Sequence, residues 1–315
     1  MKFFARVPKI DFMAQRRTGL IVSLVLTIAS IALVLTRGLN LGIDFTGGVL
    51  VEVTYPQGVE LEQVRGDLAK AGFEHAVAQH FGSTTDVLIR LQVPKDASAA
   101  QFSSRVLSAL GAQDQCADPA KPCKRRIEYV GPQVGDELTQ KGSLALLFAF
   151  IGIFVYIMLR FEWKFSAGAI AALVHDAVMA LGFLSATQIE FDVTTLAAIL
   201  ALIGYSNNET VVIFDRVREN LINLRRMGIF EIVNLSVNQT LLRSIITHLT
   251  TLLVCTALLV LGGPSVHSFS ATLIVGVIVA TYSSIYVSTS LAVALGVSRD
   301  DLLPPKLEKE GDGLP

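Results

Sequence analysis

The sequence predicts an α-helical polytopic membrane protein: six transmembrane helices, with one small α+β domain set between the first and the second. Three observations predict it. The 315-residue chain is 52% hydrophobic and only 17% charged, where a soluble domain carries about a quarter charged residues, and its mean hydropathy is +0.55. Six apolar segments are long enough to cross about 30 Å of hydrocarbon at about 1.5 Å per residue. One polar stretch, residues 37–141, interrupts them after the first. The same composition excludes other classes. A net charge of −1 leaves no basic excess to neutralise phosphates, so nucleic acid is not expected as a partner. Three cysteines without paired Cys-x-x-Cys spacing give neither a disulfide scaffold nor a metal site. No nucleophile–base pair or nucleotide loop is visible, so no enzyme and no catalytic residue is expected.

Residues 1–17 form a basic, soluble segment, with Lys2, Arg6, Lys9, Arg16 and Arg17 against Asp11. Residues 18–36 then carry no charge. A cleaved signal peptide would have an apolar region of about 7–15 residues ending in a small-x-small site. This stretch is longer and ends at Arg37-Gly38-Leu39-Asn40, which favours an uncleaved anchor and first transmembrane helix.

Residues 37–141 read as a folded domain. Val49–Tyr55 alternates and is β-branched, a strand. Over 59–71, Leu61, Val64, Leu68 and Ala71 recur at helical spacing. Glu74–Phe81 and Asp86–Val93 read as a hairpin turned at Gly82-Ser83-Thr84-Thr85. Ser98–Leu110 reads as a helix with Phe102, Val106, Leu107 and Leu110 on one face, and Arg125–Val130 as a last strand. The order β-α-β-β-α-β is that of the ferredoxin-like unit, a fold that hosts many functions and names none.

Five further apolar segments follow at about 142–159, 165–187, 193–214, 241–261 and 269–296, with an amphipathic connection over 215–240 expected to lie along the inner surface, and a tail at 297–315. Basic residues orient them. The amino terminus, the 160–164 connection (Arg160, Lys164), the 215–240 connection (Arg216, Arg218, Arg225, Arg226) and the tail (Arg299, Lys306, Lys309) hold the Lys and Arg, while 188–192 and 262–268 hold none. Both termini are therefore expected in the cytoplasm and the 37–141 domain outside it. Trp163 falls at the cytoplasmic interface as an aromatic anchor.

Five ionisable side chains fall within the spans: His175, Asp176, Glu209, Arg243 and His248. An acidic group near mid-bilayer costs about 2.5–3.5 kcal/mol even on the insertion scale, and marks ion paths by default. Glu209, in Asn207-Asn208-Glu209, is the leading candidate to take up and release a proton. Arg243 begins the next span from the same surface, at a depth that allows an ion pair with Glu209. That pair could be permanent and structural, or Arg243 could simply snorkel to the headgroups. Tyr205 and Ser206 share a helical face with Glu209. For Asp176, beside His175, a role in proton movement stands against a plain hydrogen bond to Ser or Thr of a neighbouring helix. His248, five residues from Arg243, is expected to serve a different contact.

Gly42-Ile-Asp-Phe-Thr-Gly-Gly48 stands where the first span enters the domain. Its glycines permit positive φ and close backbone approach, so Gly42, Asp44, Gly47 and Gly48 read as a structural elbow feeding the first strand. Cys116 and Cys123 bracket Ala-Asp-Pro-Ala-Lys-Pro; in an oxidising periplasm this pair would close a small loop. Cys255 is embedded in an apolar run.

Taken together, Gly42–Gly48, Val130-Gly-Pro-Gln-Val-Gly135, Arg160-Phe-Glu-Trp163, His175-Asp176, Gly204-Tyr-Ser-Asn-Asn-Glu209, Asp215-Arg-Val-Arg-Glu-Asn220, Gln239-Thr-Leu-Leu-Arg243 and Ser283-Ser-Ile-Tyr286 resemble the SecF family, within the resistance-nodulation-division superfamily. The resemblance runs from about Phe12 to the tail. It implies a subunit of the bacterial inner membrane that pairs with SecD, assists the SecYEG channel together with YajC, and uses the proton motive force to draw a translocating polypeptide to the periplasmic side. It implies protons as coupling ion, no other cofactor, and contact with membrane lipid. It places Arg243 at the family's functional arginine, so proton transfer is expected at Glu209 and Arg243, and the residues themselves offer Asn207, Asn208, Asp176 and His175 as supporting polar groups. In many members an aspartate stands at the position of Glu209. Two rival functions remain in view: an exporter of small molecules or lipids from the same superfamily, and a passive scaffold that stabilises SecD and the channel.

Overall fold

The computed structural model describes residues 9–73, 76–91, 99–299 and 301. Lys2, Arg6, Lys306 and Lys309, and the strand and helix ends expected at Glu74, Val93 and Ser98, lie outside the described residues.

Helix α1 (Arg16–Arg37) leads through a one-turn helix, α2 (Ile43–Thr46), into a four-stranded antiparallel sheet: β1 (Gly48–Thr54), β2 (Val77–Phe81), β3 (Ser83–Leu91) and β4 (Cys123–Val130). Helix α3 (Leu61–Lys70) joins β1 to β2, and α4 (Ala99–Ala109) joins β3 to β4; the strands stand side by side as β2-β3-β1-β4. Alternation places Val49, Val51 and Val53 of β1 inward, paired with Leu91, Ile89 and Val87 of β3. Val64, Leu68, Phe102 and Val106 of the two helices close this core. The hairpin is tighter than its composition suggests. Gly82, at φ +78°, alone turns the chain, Phe81 faces Ser83, and Ser83-Thr84-Thr85 are already strand. The register slips between His80 and Phe81 to absorb this. Cys116 and Cys123 are joined as a disulfide, tying the loop before β4.

The remaining spans are α5 (Pro132–Arg160), α6 (Trp163–Thr187), α7 (Val193–Asn223), α8 (Ile229–Leu261) and a last helix built of α9 (His267–Ser283), a π-helical turn at Ser284–Ser288 and α10 (Thr289–Ala294). With α1, six helices among the described residues are long and apolar enough to cross a membrane. The amphipathic connection expected at 215–240 does not exist as a separate element. Its first part continues α7 to Asn223 and its second part begins α8 at Ile229, leaving only a short turn between. The physical reason is mutual satisfaction: Asn220 donates to Ser236 at 2.8 Å and to Gln239 at 2.9 Å, so the two helix ends pack on each other.

Helix α6, α7 and the last helix form the interior, with 56%, 50% and 61% of their most apolar stretches buried against 17%, 6% and 17% for α1, α5 and α8. Small residues set the closest approaches, as expected where lipid supplies no hydrophobic drive between helices. Gly182 of α6 lies under Ser30 of α1, and Gly19 of α1 lies under the Tyr286 ring, whose atoms would come within 2.7 Å of an added Cβ.

Candidate functional site in the helix bundle

Two carboxylates are buried among the long helices, and the bundle treats them differently. Asp176 of α6 is fully shut from solvent. Its Oδ1 stands 2.9 Å from Nδ1 of His175, and its Oδ2 accepts the hydroxyls of Ser206 (α7) at 2.5 Å and Ser283 (α9) at 2.8 Å. Both oxygens are satisfied, as a buried carboxylate requires, and α6, α7 and α9 meet on this one side chain. Nε2 of His175 has no hydrogen-bond partner among the described residues.

Glu209 sits three residues beyond Ser206 on α7 and is 6% exposed. Its Oε1 accepts a hydrogen bond from the Ser244 hydroxyl of α8. Its Oε2 is 3.7 Å from Nε2 of His248, beyond ordinary hydrogen-bond length. Nδ1 of His248 is 2.9 Å from Oγ1 of Thr281 on α9. The Tyr205 ring lies against the imidazole, centroids 5.5 Å apart. Glu209 is thus held by one hydroxyl with an imidazole close by, and no Lys or Arg pairs with it among the described residues.

The ion pair expected between Glu209 and Arg243 does not form. Adjacent residues on an α-helix point about 100° apart, and it is Ser244 that α8 turns toward Glu209. Arg243 is exposed and lines a surface groove of about 220 Å³ with Val212, Asp215, Glu219 and Gln239. His248, expected elsewhere, is the ionisable side chain facing Glu209, because it follows Ser244 by four residues. Asn208 is exposed and Asn207 half-buried, its Oδ1 unpartnered; neither joins the Glu209 cluster. The signal that sequence reading passed over is the spacing of small polar residues on α8. Ser236, Thr240, Ser244 and His248 recur every fourth position, and all four are buried.

The elbow connects this cluster to the sheet. Gly47 (φ +68°) and Gly48 (φ +133°) turn the chain into β1. The loop before α7 is stitched to the elbow by Gly42 N–H to the Phe191 carbonyl and Phe191 N–H to the Asn40 carbonyl, each 2.8 Å. Asp44 accepts the N–H of Val193, the first residue of α7, at 3.0 Å, while Asp192 accepts that of Thr195 at 2.7 Å. Two acids at a helix start satisfy free N–H groups and oppose the positive end of its dipole. From β3, Arg90 donates to the Leu41 carbonyl at 2.9 Å and to Asn40 at 3.0 Å, and pairs with Glu190 at 3.3 Å. Burial pushes the Glu190 carboxyl above its ordinary range; Arg90 pulls it back, and Asp192, Asp44 and Glu128 add to the rise. The helix that carries Glu209 therefore starts on the elbow that carries the sheet, about 24 Å away over its sixteen-residue rise.

Six helices long enough to cross a membrane, with ionisable groups inside the bundle and a small domain inserted between the first two, place the chain among polytopic membrane proteins. Residues 113–298 match the model "Protein export membrane protein SecD/SecF, C-terminal", and residues 32–59 match the SecD/SecF GG motif. The chain belongs to the SecD/SecF protein-export family. It is 46% identical to the protein translocase subunit SecF of Pseudomonas aeruginosa, covering 98% of this chain and 99% of that one. With the SecF of Escherichia coli O157:H7 the identity is 42%, over 97% and 94%. It superposes on the crystal structure of SecDF from Thermus thermophilus with a TM-score of 0.82 at 35% identity, covering 91% of this chain. A SecDF structure in a super-membrane-facing form gives 0.66 at the same identity and coverage. The chain spans 39% of the length of each SecDF polypeptide.

Proposed function

We propose that this chain is the proton-carrying half of a SecD-paired machine in a bacterial inner membrane, aiding late export of polypeptides through the SecYEG channel. The observation that carries this reading is Glu209: a carboxylate 6% exposed inside a span, with one hydroxyl donor and, among the described residues, no Lys or Arg paired with it. A carboxylate placed inside a span and held by a single hydroxyl marks an ion path by default. Asp176, with three donors, is the structural counterpart. The small domain, with its β-α-β-β-α-β order, is read as ferredoxin-like and periplasmic, and both termini as cytoplasmic, on the distribution of Lys and Arg.

In this reading a proton from the periplasmic side neutralises Glu209, its contact with α8 changes, and α7 shifts against the elbow through the Asp44 bond to Val193. The domain would then move while engaging the translocating chain. Each proton crossing 100 mV supplies about 2.3 kcal/mol, enough to bias such a switch and far short of the roughly 5–15 kcal/mol that unfolds a domain. Arg243, Asn207 and Asn208 belong to the outward face of α7 and α8, toward helices of SecD, with lipid and YajC as further neighbours.

The test is export driven by an imposed proton gradient in vesicles holding the SecD-paired complex. Glu209→Gln should abolish the gradient-dependent part at unchanged complex abundance, and Glu209→Asp should keep it. Full stimulation in Glu209→Gln overturns the reading. A defect that only follows loss of complex would favour the passive scaffold.

A further inference from the structure

His248 is buried between α7 and α9, and among the described residues Nε2 has no hydrogen-bond partner. Its other nitrogen is fixed by Thr281. The Thr281 hydroxyl lies 2.8 Å from the Val277 carbonyl and 2.9 Å from Nδ1. With its hydrogen on that carbonyl it accepts from Nδ1, which leaves Nε2 of the neutral ring, 3.7 Å from Oε2 of Glu209, without a hydrogen. The groups facing the imidazole are Glu209 and Tyr205 on α7 and the uncharged Thr281 on α9; the Asp176–His175 pair of α6 is bonded separately, through Ser206 and Ser283.

Resting on the proton-carrying reading of Glu209, we propose that Glu209 and His248 hold one proton in common, with Thr281 as the positioning residue that keeps Nε2 as its acceptor. When the proton leaves Oε2, the Nε2 lone pair takes it. A neutral acid beside a neutral imidazole becomes a carboxylate beside an imidazolium, with no change in net charge. The 3.7 Å gap must shorten by roughly 0.8 Å to reach an ordinary N–H···O distance of about 2.9 Å. Transfer is thus tied to a small approach of α8 to α7, the same contact that Ser244 bridges.

Two groups that share a proton titrate as a pair. The full chain, in complex with SecD in liposomes, would be titrated by infrared difference spectroscopy, with the Glu209 carboxyl band identified by its absence in Glu209→Gln. The wild-type band should rise in two steps as pH falls, since the first proton is divided between both groups and the second completes each. His248→Gln should collapse this to one step. If that variant does not fold, the imidazolium signal of His248 should go from two steps in wild type to one in Glu209→Gln. Thr281→Val, which frees the ring to change tautomer, should lower the first step, and Thr281→Ser should restore it. A single-step wild-type titration, or two steps that survive His248→Gln, overturns the proposal. Gradient-driven export measured in parallel separates the two claims. Export that needs Glu209 with a single-step titration rejects only the shared proton, whereas two steps with export unaffected in Glu209→Gln reject the coupling.

Discussion

Ser244 and Glu209 meet across the contact of α7 with α8, the hydroxyl donating to Oε1 with both side chains buried, while Arg243, one residue earlier, lies exposed on the outer side of α8. Energetic coupling follows contact. Side chains in one hydrogen-bond network couple by about 0.5–3 kcal/mol, while independent sites add within about 0.3–0.5 kcal/mol. A double-mutant cycle on thermal stability should therefore find Glu209→Gln coupled to Ser244→Ala and additive with Arg243→Ala. Coupling to Arg243 and none to Ser244 would mean that the pairing described above is wrong.

The start of α7 gives a second prediction. Asp44 and Asp192 each accept an N–H at that end, and loss of an N-terminal capping side chain costs about 0.5–2 kcal/mol. Asp192→Ala should loosen the first turn of α7 and lower stability by about 1 kcal/mol. Asp44→Ala should do less to stability, since its bond sits at a helix end that Asp192 still caps. It should nonetheless weaken export, because it cuts the side-chain link between the elbow and the helix of Glu209. Hydrogen exchange at Thr195 and gradient-driven export check the two halves.

The elbow itself came straight from composition, since paired glycines before an alternating strand have few other uses. Within the domain, β1 alternates and α3 and α4 each keep one apolar face, whereas β3 buries Val87, Leu88 and Ile89 in succession and gives no such pattern. The extent of the helices was not plain either. Hydropathy marks where a segment can meet lipid, and Asn220, Ser236 and Gln239 hold α7 and α8 together past that limit through polar contacts. Charge drew attention to Arg243, but rotation about α8 decides what meets Glu209. The four-residue rhythm of Ser236, Thr240, Ser244 and His248 carried that answer in residues too small to stand out. Bonds such as Asp44 to Val193 join positions 149 apart, and no local pattern announces them.

Gly48 provides a third prediction. Its φ of +133° is strained for any residue with a Cβ, and an added Cβ would come within 2.5 Å of the Leu91 carbonyl oxygen, which is backbone and cannot yield. Gly38 also has positive φ, +71°, but open space around it. Gly48→Ala should therefore cost well over the roughly 1 kcal/mol of a positive-φ substitution alone, and Gly38→Ala about that amount. Monodisperse yield after extraction and melting temperature should rank Gly48→Ala far below Gly38→Ala; equal behaviour would remove the argument for a close approach at the elbow.

The Arg90–Glu190 contact gives a prediction of unexpected sign. An ion pair suggests that removing Glu190 should destabilise, yet burial and the neighbouring Asp192, Asp44 and Glu128 outweigh Arg90 and hold the carboxyl above its ordinary value of 4.5. A carboxyl raised on folding binds its proton more tightly in the folded state. Its stabilising contribution is complete below the unfolded value and is lost as pH rises through the folded one. At neutral pH the charged form is therefore a burden on the junction. Glu190→Gln keeps the shape, and leaves Arg90 its bonds to Asn40 and the Leu41 carbonyl. Glu190→Gln should raise the melting temperature at pH 7, and the difference from wild type should vanish below about pH 4.5, where both side chains are neutral. A lower melting temperature for Glu190→Gln at pH 7 would mean that Arg90 outweighs burial and the acids, and that the junction is held by its ion pair.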